Sequence, residues 1–359
     1  MKFSLAEKEE KKLLALFAQH EKNVDYFIYL SCVLTDNSQL LDEKAQKEIK
    51  DKNDFEKKNL AFDQLEKVYK YDNDFIKDNI RWDTVLLAAE DFKANPYLKA
   101  INDLTFKEEG WTLSRMNRKA YTLCPYQEEY AYGANYSIKM GLMMFKSDYI
   151  YPSISLYDTE WMSLNQHEIR TMEIPIQLAR GKVLTLGLGL GYYAYMVSLK
   201  EEVKEVHIVE MDLELIKLFT KYLLPLFPHP EKIHIHKADA FYFIKDIKDK
   251  DYDFIFSDLW HNVSDGVPSY LKLKKHFNNF KYTQCSYWIE NSILNYLRML
   301  VIGVMKDEYY SNNSEFDELQ EFIKDRLKGY EIKDSNDLDS LLNLKGLNYI
   351  FFGDILPHL

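Results

Sequence analysis

Apolar and polar positions change their spacing twice along the chain. From about residue 5 to 105, apolar residues recur every three or four positions behind charged faces, which predicts helices. From about 120 to 160, Tyr, Ile and Ser alternate roughly with other residues, which predicts two or three strands. We therefore expect three regions: a helical N-terminal region over 1–118, a small β-rich segment over 119–160, and a ligand-binding domain over 161–359.

After Gly181, short apolar strands alternate with amphipathic helices. The predicted strands are KVLTLGLG, VKEVHIVEMD, EKIHIHKAD, YDFIFSDLW and CSYWIE, with LNYIFFGDIL as a last strand near the C-terminus. Strands and helices that alternate over short loops predict a parallel sheet covered by helices on both faces. The fold class indicated by this region is therefore α/β.

Three glycines mark the first strand-to-helix turn. Gly187, Gly189 and Gly191 lie there, although the chain has only 12 glycines in 359 residues. Ligands of open α/β sheets bind beyond the carboxyl ends of strands, where glycine lets the main chain come close. Glu210 ends the next strand and suits the ribose hydroxyls of a nucleoside. The alternatives without a ligand are a tight turn for the glycines and a surface acid unrelated to ribose for Glu210.

The motifs VLTLGLGLGYYA, VHIVEMD, IHIHKADAFYFI and YDFIFSDLW resemble, in order and spacing, those of class I S-adenosylmethionine-dependent methyltransferases, in particular the spermidine-synthase-like branch. The resemblance covers about residues 150–305. It implies a Rossmann-like, seven-stranded sheet and S-adenosylmethionine as cofactor. The implied cofactor-binding residues are Gly187, Gly189 and Gly191 for the methionine part, Glu210 for the ribose, and Met211, Asp239 and Ala240 for the adenine. For Asp239, a helix N-cap is the structural alternative.

The loop SDLWHNVSDG after the fourth strand is the expected place of the chemistry. Transfer from a sulfonium requires an aligned nucleophile and often the removal of one proton. Asp258 can act as a base or an amine anchor, and His261 as a base that titrates near neutral pH. Trp260 can form an apolar or cation-stacking wall. The alternatives are a cap or turn role for Asp258 and an ordinary loop position for His261.

The stretch EWMSLNQHEI precedes the first strand of the sheet. By resemblance, its QHE partly matches a YHE-like motif that lines the site of spermidine synthases. We therefore expect Trp161, His167 and Glu168 near the substrate, with purely structural roles as the alternative.

In the sequence, the motif after the fourth strand distinguishes methyl transfer from aminopropyl transfer. Aminopropyl transfer in the related enzymes uses two acids in a D-S-S-D motif, whereas this chain has DLWH, and Asp265 comes seven residues after Asp258. The sequence therefore favours an S-adenosylmethionine-dependent methyltransferase acting on a small-molecule acceptor. The alternatives are an aminopropyl or aminocarboxypropyl transferase and a non-catalytic nucleoside-binding scaffold.

Net charge and cysteine spacing argue against a nucleic-acid partner, a disulfide framework and a zinc site. The net charge of −11 disfavours a nucleic-acid partner. The three cysteines are far apart and form no CxxC pair, so neither a disulfide framework nor a thiolate zinc site is indicated. His234 and His236 share one strand face, but no third ligand is evident, so we expect no metal.

The remaining expectations concern location and assembly. The N-terminus lacks an apolar signal core, and the most apolar run, residues 293–305, is short and contains Arg298. We therefore expect a soluble, cytoplasmic protein with no membrane partner. The family resemblance also implies a homodimer.

Overall fold

The structure, a computed structural model, describes residues 1–35, 41–69, 74–312 and 314–353. Its helices are α1 Glu7–Thr35, α2 Glu43–Glu48, α3 Asp54–Val68, α4 Asp74–Asp83, α5 Ala89–Lys93, α6 Pro96–Ala100, α7 Gln166–Thr171, α8 Glu173–Leu178, α9 Tyr192–Ser198, α10 Leu213–Leu218, α11 Ala240–Phe243, α12 Val263–Phe277, α13 Glu290–Tyr310, α14 Glu318–Arg326, α15 Ser335–Leu342 and α16 Leu344–Phe352.

The strands form several sheets, so the chain is a mixed α/β protein. They are β1 Lys2–Phe3, β2 Val85–Leu87, β3 Phe106–Glu108, β4 Trp111–Arg118, β5 Cys124–Tyr132, β6 Ser137–Phe145, β7 Tyr149–Leu156, β8 Thr159–Ser163, β9 Gly181–Leu186, β10 Val203–Glu210, β11 Ile233–Lys237, β12 Phe254–Ser257, β13 Gln284–Tyr287 and β14 Glu331–Ile332.

A parallel sheet of five strands, in the order β11-β10-β9-β12-β13, lies at the centre of the C-terminal half. Val183, Leu184, Phe254 and Ile255 are fully buried, because helices cover both faces of a parallel sheet. The first strand in sequence, β9, pairs with both β10 and β12, so the chain reverses its winding direction there. Ligands of such sheets bind in the crevice at this switch point.

The seven-stranded sheet expected from the resemblance is not what the described residues form: the parallel sheet has five strands. The predicted last strand is wrong, because its main part is α16. Leu347, Ile350 and Phe351 are buried at helical spacing, and the Asn343 side chain caps the helix by accepting the N–H of Gly346 at 2.9 Å. The short strand β14 pairs with β1 instead of joining the parallel sheet.

Two further sheets and the first helices complete the fold. The strands β3-β4-β7-β8 form an antiparallel sheet. A second sheet, in the order β2-β6-β5, is formed by strands from the same part of the sequence. The strands β1 to β4 therefore lie within the region expected to be helical, before residue 119, and the expected domain boundaries stay a prediction. Leu13, Leu16 and Phe17 of α1 belong to the same buried core as the parallel sheet.

Among the helices of the described residues, each is too short or too polar to cross a bilayer. The apolar run 293–305 forms most of α13, whose Ile293, Val301 and Met305 are fully buried in the main core. Its apolar character is thus explained by packing inside the protein.

Candidate functional site

The turn between β9 and α9, residues 187–191, is called the glycine loop below. Gly187, Gly189 and Gly191 all have positive φ, at 101°, 50° and 76°, a region that strongly favours glycine. Protein atoms lie against each one. A Cβ atom at Gly187 would overlap the backbone oxygen of Asp258, and one at Gly189 would lie 2.6 Å from the sulfur of Met162. The fold itself therefore requires these glycines, and ligand approach to the loop stays a prediction.

The Glu210 carboxylate joins the ends of two neighbouring strands. Its Oε2 atom accepts the N–H of Leu188 in the glycine loop at 3.2 Å. Its Oε1 atom accepts the N–H groups of Met211 and Asp212 at 2.7 and 2.8 Å. An ionised carboxylate has about four acceptor positions, so a hydroxyl donor can still be accommodated. Met211, at 66% exposure, leaves an uncovered apolar side chain beside it.

Asp239 forms the N-cap of α11, as the structural alternative proposed. Its Oδ1 atom accepts the N–H groups of Phe241 and Tyr242 at 2.7 and 3.1 Å. No donor in the described part of the chain contacts Oδ2, so that oxygen can serve a ligand as well. Ala240 is buried at the start of the helix. The adenine roles of both residues stay predictions.

Two carboxyl groups interact electrostatically near the carboxyl end of β12. Asp258 follows the strand, and its N–H donates to the carbonyl of Leu186 at 2.9 Å. Burial raises the pKa of Asp258 to about 7. Burial also raises the pKa of Glu168, in the first turn of α7, well above its usual value, and the charges of Asp258 and Glu160 add to this effect. A cation close to these two acids would therefore stabilise their ionised forms.

A cavity of about 310 Å³, including its open mouth, lies between Asp258 and the glycine loop. Asp258 is its only charged lining residue within the described structure, and no basic side chain faces it; the lining residues are Met162, Met172, Thr185, Gly187, Leu188, Gly189, Tyr192, Tyr193, Ala194, Ile208 and Asp258. The buried hydroxyl of Tyr193 has no hydrogen-bond partner in the structure. The cavity thus offers one carboxyl group and one unused hydroxyl group.

The predicted aromatic residues fall into two groups. Trp161 is 40% exposed and packs edge-on against Trp111 and His261, with ring centres 5.6 and 5.5 Å apart. His261 is exposed, and its Nδ1 lies 3.2 Å from an Asp265 carboxylate oxygen. Trp260, in contrast, is buried, and its indole N–H lacks a partner.

His167 is turned toward a different part of the chain. Burial lowers its pKa to about 4, and its ring contacts the backbone of Gln127 in β5. The ring is therefore neutral at physiological pH and is absent from the cavity lining. A substrate role for His167 stays a prediction, as it does for Trp161 and Trp260.

Sequence reasoning missed two acids on β5, which packs against α7. Burial raises the pKa of Glu128 to about 7 and that of Glu129 to about 8. Glu128 Oε2 accepts the N–H groups of Asn291 and Ser292 at 2.9 and 3.4 Å, at the start of α13. The signal was a pair of adjacent glutamates in an otherwise aromatic strand, where Glu is disfavoured.

The raised pKa of Asp258 predicts a pH-dependent stability. Its folded-state pKa, about 7, exceeds the unfolded value, so Asp258 opposes folding increasingly between about pH 4 and pH 7. Asp258→Asn should therefore stabilise the ligand-free protein at about pH 8 by on the order of 2–4 kcal/mol more than at about pH 4. Denaturant unfolding at several pH values measures this difference. The exposed Asp246→Asn is the control, and an equal pH profile for both variants would contradict the shift.

Comparison with known proteins gives a partial match. The spermine/spermidine synthase domain family matches residues 167–283. No curated protein matches the chain. The crystal structure of spermidine synthase from Thermotoga maritima matches with 16% sequence identity and a TM-score of 0.31, over 41% of this chain and 55% of that chain. The match thus spans about half of that enzyme.

The family match covers Glu168, the glycine loop, Glu210 and Asp258. It carries no methyltransferase specificity and favours the alternative of aminopropyl transfer over the methyl transfer that the sequence favoured. Residues 167–283 are therefore similar to the spermine/spermidine synthase domain, within a chain of mixed α/β structure.

Proposed function

We propose that this protein is a transferase that moves an aminopropyl group from decarboxylated S-adenosylmethionine to an amine. The observation that carries the proposal is Asp258, a partly buried acid that lines a cavity without a basic side chain, together with the partly buried Glu168, whose carboxyl group interacts with its charge. The aminopropyl tail ends in an ammonium group, which such a pair stabilises. The tail of S-adenosylmethionine also carries a carboxylate, which Asp258 would repel.

The second acid comes from outside the fourth-strand motif. The sequence lacks an acid shortly after Asp258, which made aminopropyl transfer the less favoured reaction. Glu168 on α7 is close enough for the charge of Asp258 to raise its pKa. In the proposed reaction these two carboxyl groups together replace the paired acids of the D-S-S-D motif.

The chemical step requires a neutral amine beside the sulfonium. The nitrogen lone pair forms the new C–N bond while the C–S bond breaks, and the thioether methylthioadenosine leaves. The proton released from the nitrogen passes to a base. Asp258, with its pKa of about 7, is suited to that role near neutral pH. The acceptor expected from this charge pattern is an aliphatic amine.

The nucleoside would bind along the carboxyl ends of β9 and β10. We assign the ribose hydroxyls to Glu210, which keeps acceptor capacity beyond its three backbone bonds. The adenine is assigned to the exposed side chain of Met211 and to Oδ2 of Asp239. The glycine loop would lie beside the sulfonium.

Product analysis tests the reaction class. The full chain is incubated with aliphatic diamines and either decarboxylated S-adenosylmethionine or S-adenosylmethionine, and the products are identified by mass spectrometry. The proposal predicts methylthioadenosine and an aminopropylated amine with the first donor. A methylated amine with S-adenosylhomocysteine would instead establish methyl transfer, the second candidate, which the DLWH sequence after β12 favours. No product with any amine would support a binding scaffold.

Glu210→Ala should weaken binding of methylthioadenosine. A ribose hydroxyl would lose its charged acceptor, which corresponds to about 1–3 kcal/mol of binding free energy. Calorimetry with the product nucleoside measures this loss without turnover. Glu214→Ala, on the neighbouring helix, is the control, since its side chain pairs with Lys217.

The glutamate also stabilises the glycine loop, so the thermal midpoint of each variant is measured in parallel. Glu210→Gln keeps the side-chain length and one acceptor oxygen, and it should bind with intermediate affinity. Unchanged affinity in a folded Glu210→Ala protein would refute the ribose assignment.

A further inference from the structure

Three histidines and a glutamate lie on one face of the edge of the parallel sheet. His207 of β10 lies directly beside His234 of β11 in the parallel register. Glu205 precedes His207 by two residues, and His236 follows His234 by two, so the four side chains project to the same side. Ile208, on the opposite face of β10, lines the cavity of the transferase site. The four residues, called the histidine cluster here, are therefore separate from that site.

The potential ligand atoms of this cluster converge. One carboxylate oxygen or ring nitrogen from each of Glu205, His207 and His234 lies within 4.8 Å of the other two. His207 Nε2 is 3.0 Å from Glu205 Oε2, and the ring centres of His207 and His234 are 4.8 Å apart. Ligand atoms at about 2.0–2.2 Å from a tetrahedral ion lie roughly 3.3–3.6 Å apart. Small side-chain rotations close the difference.

His236 has the geometry of an outer partner. Its Nε2 lies 2.8 Å from Nδ1 of His207. When Nδ1–H of His207 donates to it, the lone pair of His207 Nε2 is directed toward Glu205. A metal-bound imidazole almost always donates its other N–H to a hydrogen-bond acceptor, usually a carboxylate, a backbone carbonyl or water, which fixes the tautomer; here the acceptor is the imidazole nitrogen of His236. His236 is therefore a positioning residue rather than a ligand.

We infer that Glu205, His207 and His234 bind a divalent transition-metal ion of the Zn²⁺ class, with His236 holding His207 in its ligating tautomer. Two imidazoles and one carboxylate are a donor set that zinc accepts, with a fourth position left for water. Glu205 and His234 are exposed, so this position faces solvent. A bound ion would join the edge strand β11 to β10.

A cation and an aromatic ring border the histidine cluster. The Lys182 ammonium lies 3.9 Å from Glu205 Oε2, and its 41% exposed side chain can turn to solvent when an ion binds. Tyr252 packs edge-on against His207 at 5.3 Å.

Titration of the chelator-treated full chain with Zn²⁺ tests the inference. We expect one ion per chain by calorimetry and, with Co²⁺ as a probe, the d–d absorption of a tetrahedral site. His234→Ala and Glu205→Gln should each lower Zn²⁺ affinity by more than about 100-fold, since outer partners alone contribute about 10–100-fold. His236→Ala should lower it by about 10–100-fold and shift the Co²⁺ spectrum.

His229→Ala is the matched control, because His229 pairs with Glu231 on the surface outside the cluster. It should bind Zn²⁺ as the wild type does. The inference is overturned if the wild type binds no ion stoichiometrically, or if His234→Ala and Glu205→Gln, shown to be folded by circular dichroism, titrate like His229→Ala. Methylthioadenosine affinity should be the same in all these variants, so the result is independent of the transferase proposal.

Discussion

Asp258→Asn is expected to lower the turnover of aminopropyl transfer by about 10²–10⁴-fold, the usual contribution of a general base. The asparagine side chain has nearly the same shape but neither accepts the proton of the amine nor carries a negative charge. Asp258 is the only charged residue among the described residues that line the cavity, so no neighbour in that lining substitutes for it. Steady-state rates at saturating nucleoside measure the loss.

The control makes the same chemical change away from the cavity. Asp246→Asn alters an exposed carboxyl group in the same domain and should keep full turnover. Methylthioadenosine affinity should change little in Asp258→Asn, because the ribose and adenine are assigned to other residues. Full activity of Asp258→Asn would remove this residue from the chemistry.

Gly187→Ala is expected to destabilise the fold by about 4 kcal/mol or more, which is exceptional for one methyl group. Two effects add. The φ of 101° is strained for alanine, and the new Cβ would overlap the backbone oxygen of Asp258. That oxygen belongs to the main chain directly after β12, so it has no side-chain freedom with which to move away. Denaturant unfolding measures the change.

Gly133→Ala separates the two effects. Gly133 also has a positive φ, 71°, but a Cβ there would meet nothing within 4 Å. Its substitution should cost only the left-handed penalty of about 1–2 kcal/mol. Equal losses at both positions would show that the contact with Asp258 is not tight.

Local sequence patterns were sufficient for much of the sheet. The five strands β9 to β13 were predicted because a buried parallel strand is a short continuous apolar run between turn signals. The glycine loop was predicted because three glycines at a strand-to-helix turn are rare in this chain. Its explanation changed, since the atoms that approach Gly187 and Gly189 belong to Asp258 and Met162.

Contacts between residues far apart in the sequence could not be predicted from these local patterns. Glu168 precedes Asp258 by 90 residues, and only the fold shows that their charges interact. The His234 and His236 pair lacked a third ligand in the sequence because His207 and Glu205 come from the neighbouring strand. The stretch after Asn343 is aromatic and apolar, which suits both a strand and a helix; its cap and packing select the helix.

The donor preference follows directly from the charge of the cavity. Calorimetry compares decarboxylated S-adenosylmethionine with S-adenosylmethionine, using wild type and Asp258→Asn. We predict that the wild type binds the decarboxylated form at least about 10-fold more tightly, or about 1.4 kcal/mol, and that Asp258→Asn largely loses this preference. Tighter binding of S-adenosylmethionine by the wild type would contradict the account.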